Sequence, residues 1–255
     1  MREMYIGIGD YALGGAVTLP FLSIDRAKRR RPLVFGEVRD DPVPEQMDGT
    51  VFRNHLGDLP AWASVWKDLG ADGVCLKMAP GPEAAQTVKT VVERTRMPVM
   101  VCIGDDDVAT LHEIADTVSG SMLILGCSSE GSYRRVADFA GSHVVTTVPG
   151  DPLVGDGCIH PDSAVLCRYD IRGGTEGLSE IKGLRSTGLS RGDEGLPVIC
   201  DVTGAWEMYD GDDRRMAVLE SNSALCAMLA GADAVVVRGS GAADMASNHG
   251  EELAL

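Results

Sequence analysis

The residues of this chain that could do chemistry are a set of acids, one lysine in an apolar setting and a glycine loop, and each points to a different reaction. Lys77 lies inside the run Asp72-Gly-Val-Cys-Leu-Lys-Met78, where an ammonium must either be paired or emerge at the mouth of a site. Left unpaired, it would suit Schiff-base chemistry on a carbonyl substrate. Glu37, Asp105 and Asp201 each end a separate apolar run, and a hard divalent cation would need such carboxylates to converge. Asp105-Asp-Asp107 ahead of Val-Ala-Thr-Leu also reads as a helix N-cap with acids in the first turn. No coherent metal site is specified, and no metal is expected. Gly239-Ser-Gly241, after Arg238, resembles the loops that bind phosphate through backbone amides. Its usual companion loop is missing, because Thr203-Gly-Ala-Trp206 and a polar insertion stand in that place. The five histidines assemble no Ser, His and Asp arrangement.

These residues acquire a common location once the elements between them are read. Eight apolar runs of strand length recur, at 33–38, 72–78, 98–103, 122–125, 143–148, 163–169, 196–202 and 232–237. Most are near-continuous Val, Ile, Leu and Cys, as strands buried on both faces of a parallel sheet should be. Helical spacing of apolar residues predicts helices over 83–95, 107–118, 132–140 and 214–229. Gly70, Gly120, Gly141 and Gly231 stand just before strands, where a helix ends in a left-handed residue. Eight strand–helix units predict an α/β fold, a (β/α)8 TIM barrel, whose usual size is about 250 residues. An open doubly wound sheet is the competitor, but Glu37-Val-Arg-Asp-Asp-Pro42 offers no GxGxxG after the first run. One domain spans 1–255: residues 1–22 form a hairpin closing the bottom of the barrel, with arms at 5–8 and 18–22, then the barrel at 33–240 and a C-terminal tail at 241–255.

Chemistry in such a barrel sits at the carboxyl ends of the strands. By position, Glu37, Asp40, Lys77, Asp105, Thr147, Asp201, Arg238, Gly239 and Gly241 are therefore the candidate ligand-binding residues. The insertion at 206–215 brings Trp206 and Tyr209 to the same end, as a lid or a partner surface.

Composition narrows the partners. With 38 acidic residues against 23 basic, the formal charge of −15 is a poor match for nucleic acid or anionic lipid. A cluster at Arg26, Lys28, Arg29, Arg30 and Arg31 is the basic exception. The chain has no run of about 18 apolar residues and no signal-peptide pattern at its start, so no membrane association and a cytoplasmic location are expected. Seven cysteines without a CxxC or CxxxC pair disfavour an iron–sulfur cluster, a zinc knuckle and a disulfide framework; they read as buried reduced thiols.

Several words, in order, resemble one family. Gly14-Gly15 with Thr18-Leu-Pro-Phe21, Pro32-Leu-Val-Phe-Gly-Glu-Val-Arg-Asp40, and Pro60-Ala-Trp-Ala63 with Leu69-Gly-Ala-Asp-Gly73 are similar to the N-terminal half of the CO dehydrogenase/acetyl-CoA synthase delta subunit, the small subunit of the corrinoid iron–sulfur protein. Leu219-Glu-Ser-Asn-Ser-Ala224 with Ala230-Gly-Ala-Asp233 resembles the end of that family's barrel. The resemblance implies a barrel related to pterin-dependent methyltransferases that covers the corrinoid (cobalamin) of a partner subunit during methyl transfer, doing little chemistry itself. The corrinoid would be shared with that corrinoid-binding protein rather than held tightly alone, and a homo-oligomer is compatible with the same reading.

The chain departs from the family between the fifth and sixth runs, where only Pro149-Gly-Asp-Pro-Leu-Val-Gly-Asp156 is present. Pterin-binding relatives hold the ring with Asp and Asn at strand ends, yet Asn54, Asn222 and Asn248 lie at none. The alternative function is a stand-alone TIM-barrel enzyme, of the dihydropteroate synthase or pterin methyltransferase type or acting on a small phosphorylated substrate.

Overall fold

A computed structural model describes residues 5–14, 30–41, 50–148, 160–169, 176–191, 196–206 and 213–254. The eight apolar runs of the sequence are eight strands. They are β3 (Leu33–Arg39), β4 (Gly73–Met78), β5 (Val99–Ile103), β6 (Leu123–Gly126), β7 (Val144–Thr147), β8 (Ser163–Arg168), β9 (Val198–Asp201) and β10 (Ala234–Val237). They pair in parallel, and β10 closes onto β3 to complete a barrel in the order β10-β3-β4-β5-β6-β7-β8-β9.

Alternation along each strand separates two cores. One parity faces the barrel axis: Phe35, Cys75, Met100, Ile124, Val144, Leu166, Ile199 and Val236 fill the interior. The other parity faces the helices, where Val34, Leu76, Val101, Leu125, Val145 and Val235 meet Trp62, Trp66 and Tyr133. Gly36 shows how closely this second layer packs, since a Cβ there would stand 2.0 Å from the Trp66 ring. The Trp66 indole N–H donates to the Glu37 carbonyl at 2.9 Å, so a large ring is buried with its one polar atom satisfied.

The connecting helices are α1 (Leu59–Asp68), α2 (Ala84–Thr95), α3 (Val108–Thr117), α4 (Glu130–Ala137), α5 (Glu176–Arg191), α6 (Asp213–Ala230) and α7 (Ser240–Ala254). Residues 240–254 are thus the last barrel helix rather than a tail. Small residues conceal it in the sequence: Ala242, Ala243 and Ala246 make its buried face, a pattern with little apolar contrast. No described helix is long and apolar enough to cross a membrane.

At the bottom, β1 (Tyr5–Ile8) and β2 (Tyr11–Gly14) form an antiparallel hairpin. Its second arm is 11–14; the expected arm at 18–22 lies outside the described residues. The short turn at Gly9, which has φ +57°, makes this nearer pairing possible. Ile6, Ile8 and Leu13 plug the barrel interior, and the Gly9 amide donates to the Ser121 carbonyl at 3.0 Å.

The two Gly-Ala-Asp words act alike. Gly70 and Gly231 take positive φ, and the aspartate that follows binds the amide opening a neighbouring strand. The Val34 amide donates to Asp72 at 2.8 Å and the Val198 amide to Asp233 at 2.7 Å. Strand register on both sides of the β10–β3 closure is pinned in this way.

Candidate functional site

Glu37, Lys77 and Asp201 have inward parity near the carboxyl ends of their strands, and Arg238 follows β10 directly. These four come from β3, β4, β9 and β10, which are neighbours only because the barrel closes. Lys77 Nζ lies 2.7 Å from Glu37 Oε1 and 2.7 Å from Asp201 Oδ2, and it donates to Thr203 Oγ1 at 2.9 Å. Thr203 in turn donates through its amide (3.0 Å) and its hydroxyl (2.7 Å) to Asp201 Oδ1. Arg238 binds the other side of Glu37 through Nε and Nη2. The result is an alternating chain of charges, Asp201, Lys77, Glu37 and Arg238.

This chain fixes the protonation states. Burial pushes the Glu37 carboxyl up, but the Lys77 and Arg238 charges outweigh it and hold it at about 2. Burial would lower Lys77, and the Asp201 and Glu37 carboxylates outweigh that and raise it. Lys77 is thus the paired lysine that its apolar setting called for, and a charged ammonium so engaged has no lone pair for a carbonyl, so the Schiff-base alternative does not fit. Glu37 and Asp201 are not arranged for a divalent cation either, because an ammonium already bridges them while Asp105 lies on a separate turn.

The glycine loop after β10 is also occupied. The Arg238 and Gly239 amides donate to the Glu220 carboxylate at 2.5 and 2.8 Å, so a side chain of α6 fills the cradle that a phosphate would take. Gly241 lies inside the first turn of α7. Burial raises Glu220 to about 7, with the Arg238 amide, the Trp206 indole and the Gly239 amide pulling it back. Trp206 is only 4% exposed and a Cβ on Gly239 would stand 3.1 Å from its ring. It is therefore a wedge behind the strand ends and not a stacking surface at the mouth; Tyr209 lies outside the described residues. Thr147 is displaced as well: it shares the parity of Val145 and is buried toward the helices. Thr146 is the inward residue, and its hydroxyl accepts the Cys127 amide at 3.0 Å.

What stays open is the other half of the mouth, a cavity of about 600 Å³. Small side chains make room for it. Cys102 and Gly126 stand opposite one another in register on β5 and β6, with Leu166 completing the floor. Of the sequence-predicted residues, Asp40, Lys77, Asp105 and Asp201 line this cavity. Glu37, Thr147, Arg238, Gly239, Gly241 and Trp206 do not.

The Asp105-Asp-Asp107 triplet divides its labour. Asp107 caps α3, accepting the Thr110 amide at 3.3 Å and its hydroxyl at 2.6 Å. Asp106 accepts the Ser128 amide at 2.8 Å, the Ser128 hydroxyl at 2.7 Å and the Ser132 hydroxyl at 2.5 Å, tying the loop after β6 to the loop after β5. Asp105 lines the cavity and has no hydrogen bond or ion pair with another described residue. Asp105 and Asp106 both have left-handed backbones, at φ +55° and +48°, a strained arrangement for residues other than glycine. Asp40 accepts the Ala79 amide at 2.7 Å. Across the cavity, Arg168 is exposed at its rim and pairs with no other described residue.

Sequence reasoning missed two things here: the role of Glu220 and the opening made by Cys102 and Gly126. Glu220 stands in the sequence only as one letter of a family word, and small residues on a strand carry no signal of their own. Thr146 was open to reasoning, since strand parity distinguishes it from Thr147.

No family model matches the chain, and no curated protein sequence matches it. Solved structures do. Dihydropteroate synthase from Thermus thermophilus superposes with a TM-score of 0.59 at 15% identity, covering 98% of this chain and 99% of that one. The Yersinia pestis dihydropteroate synthase gives 0.60 at 11% identity, over 98% of both chains. The Burkholderia cenocepacia enzyme, complexed with 7,8-dihydropteroate, gives 0.58 at 14% identity, over 99% and 97%. At these identities the likeness is one of fold, and it is a likeness over the whole chain: this protein is a TIM barrel built like the barrels of dihydropteroate synthases.

Proposed function

We propose that this protein is a pterin-binding TIM barrel, with the ligand held in the cavity at the carboxyl ends of β4, β5, β6, β8 and β9. The observation that carries this reading is the Asp105 carboxylate, which has no partner among the described residues and lines a cavity of about 600 Å³, within the range of about 300–1,000 Å³ usual for small-molecule sites. Asp40 and Asp201 line the same space. A reduced pterin ring presents an amino group and ring N–H groups along one edge, and carboxylates are acceptors suited to such an edge. Arg168 at the opposite rim suits an anionic substituent. The shared fold adds support, since one of the similar structures holds 7,8-dihydropteroate.

With Glu220 on the amides of Arg238 and Gly239, the reading favours a pterin carried without a phosphate ester. The corrinoid-covering subunit is the rival reading, and one experiment separates the two. Purified protein titrated with 7,8-dihydropterin in a calorimeter is expected to bind one equivalent, and Asp105→Ala to weaken binding about tenfold, as loss of a charge-assisted hydrogen bond does. Absence of heat at millimolar pterin, with a corrinoid protein copurifying from the native host, would overturn the pterin reading in favour of the subunit.

A further inference from the structure

The turn that carries Asp105 is held from outside itself. Asp105 and Asp106 stand in the left-handed region at φ +55° and +48°, a conformation that residues other than glycine keep only where their surroundings over-determine it. Asp105 supplies none of that determination, since its side chain engages no other described residue. Asp106 supplies it. Its Oδ2 alone accepts the Ser128 amide at 2.8 Å, the Ser128 hydroxyl at 2.7 Å and the Ser132 hydroxyl at 2.5 Å.

Those donors belong to the next strand–helix unit, which is itself anchored. Ser128 follows β6, and Ser132 lies in the first turn of α4. The Cys127 amide donates to Thr146 of β7 at 3.0 Å, and Ser129 caps α4 by accepting the Ser132 amide at 3.2 Å. Asp107 secures the other end of the turn as the cap of α3. Gly104, Asp105, Asp106, Cys127 and Ser128 line the cavity, whereas Ser132 is buried and does not.

We infer that Asp106 is the positioning residue of this site: it fixes the turn so that the Asp105 carboxylate is in place before a ligand arrives. The identity of the ligand rests on the pterin reading; the positioning rests on the hydrogen bonds of the protein alone. An acceptor on a free turn has to be ordered during binding, and that ordering subtracts from affinity. The role belongs to the Asp106 oxygen and not to its charge. A carboxamide offers an acceptor in the same place, and asparagine tolerates the left-handed backbone.

The test compares Asp106→Ala, Asp106→Asn and Ser132→Ala, each alone and combined with Asp105→Ala, by calorimetric titration with 7,8-dihydropterin. Asp106→Ala is expected to weaken binding about tenfold and Ser132→Ala about threefold, although Ser132 does not line the cavity, while Asp106→Asn stays within about threefold of the wild type. In the Asp105→Ala background each change is expected to alter affinity less than about twofold, because the group they position is gone. Equal losses in both backgrounds would show a general loosening of the cavity and overturn the inference. So would a loss in Asp106→Asn as large as in Asp106→Ala, which would make Asp106 a charge and not a post. Crystal structures without ligand read the positioning directly: Asp105 is expected to leave φ +55° in Asp106→Ala and to keep it in Asp106→Asn. If the wild type binds no dihydropterin, the pterin reading fails and these structures decide the inference by themselves; an Asp105 turn unchanged in Asp106→Ala would overturn it. Asp106→Gly removes the acceptor without adding strain, and it carries the same comparisons if Asp106→Ala does not fold.

Discussion

The Glu220 carboxylate accepts the Gly239 amide at 2.8 Å, so an acid from α6 occupies the place where a glycine loop after the last strand would meet a phosphate. Inorganic phosphate is accordingly expected not to bind at 239–241, and phosphorus NMR at millimolar phosphate should show no broadening that Gly239→Ala removes. Glu220→Ala leaves two buried amides without an acceptor and should destabilise the protein by about 2–6 kcal/mol in urea unfolding, at about 1–3 kcal/mol per unsatisfied group.

Stability should peak on the acid side of neutrality. Glu220 has a folded pKa of about 7 against an ordinary 4.5, so the folded state binds its proton more tightly than the unfolded chain does. Its contribution is full below about pH 4.5 and is lost as pH rises through 7. Glu37 runs the other way: with a folded pKa of about 2 against 4.5, its contribution is present above pH 4.5 and lost as pH falls toward 2. Urea midpoints between pH 3 and 8 should therefore decline on both sides of about pH 5, and Glu220→Gln should flatten the neutral limb only.

Removing the centre of the charge chain should cost more than removing one arm. Glu37→Gln takes from Arg238 its carboxylate partner and leaves Lys77 with Asp201 alone, and breaking a buried pair from one side costs about 3–5 kcal/mol. Lys77→Met leaves Glu37 with Arg238 and Asp201 with Thr203, so its urea midpoint should fall less. Equal losses would show that the arms are not coupled through Glu37.

Borohydride in the presence of a small aldehyde should leave Lys77 unmodified at neutral pH, since all three of its N–H groups are engaged. A reduced adduct at Lys77 in the peptide map would contradict the saturated geometry.

The strained turn should show a trade between stability and binding. Asp105→Gly relieves a left-handed backbone and is expected to hold or raise stability by up to about 1 kcal/mol, while weakening dihydropterin binding about tenfold. Asp106→Ala should do the opposite to stability, lowering it by about 1–3 kcal/mol, because three donors from Ser128 and Ser132 lose their acceptor.

The sequence by itself determined the barrel. Continuous apolar runs such as Val99–Ile103 are buried on both faces wherever they sit in a parallel sheet, and Gly70 and Gly231 end helices through their own backbone freedom. Asp107 as the cap of α3 was legible for the same reason: a cap is satisfied within three residues. Tertiary structure decided the site. Lys77 could be read as a residue needing a partner, but Glu37 came to it through the β3–β4 pairing and Asp201 only when β9 and β10 closed against β3, contacts that no short window of sequence contains. Trp206 passed from the mouth to a buried wedge, and Gly239 from a phosphate loop to a capped amide because Glu220 reaches it from the helix that leads into β10, a contact set by how that helix packs on the barrel. The cavity itself was silent in the sequence, since it consists of the volume that Cys102 and Gly126 leave unfilled, and an unfilled volume is defined by every strand around it at once.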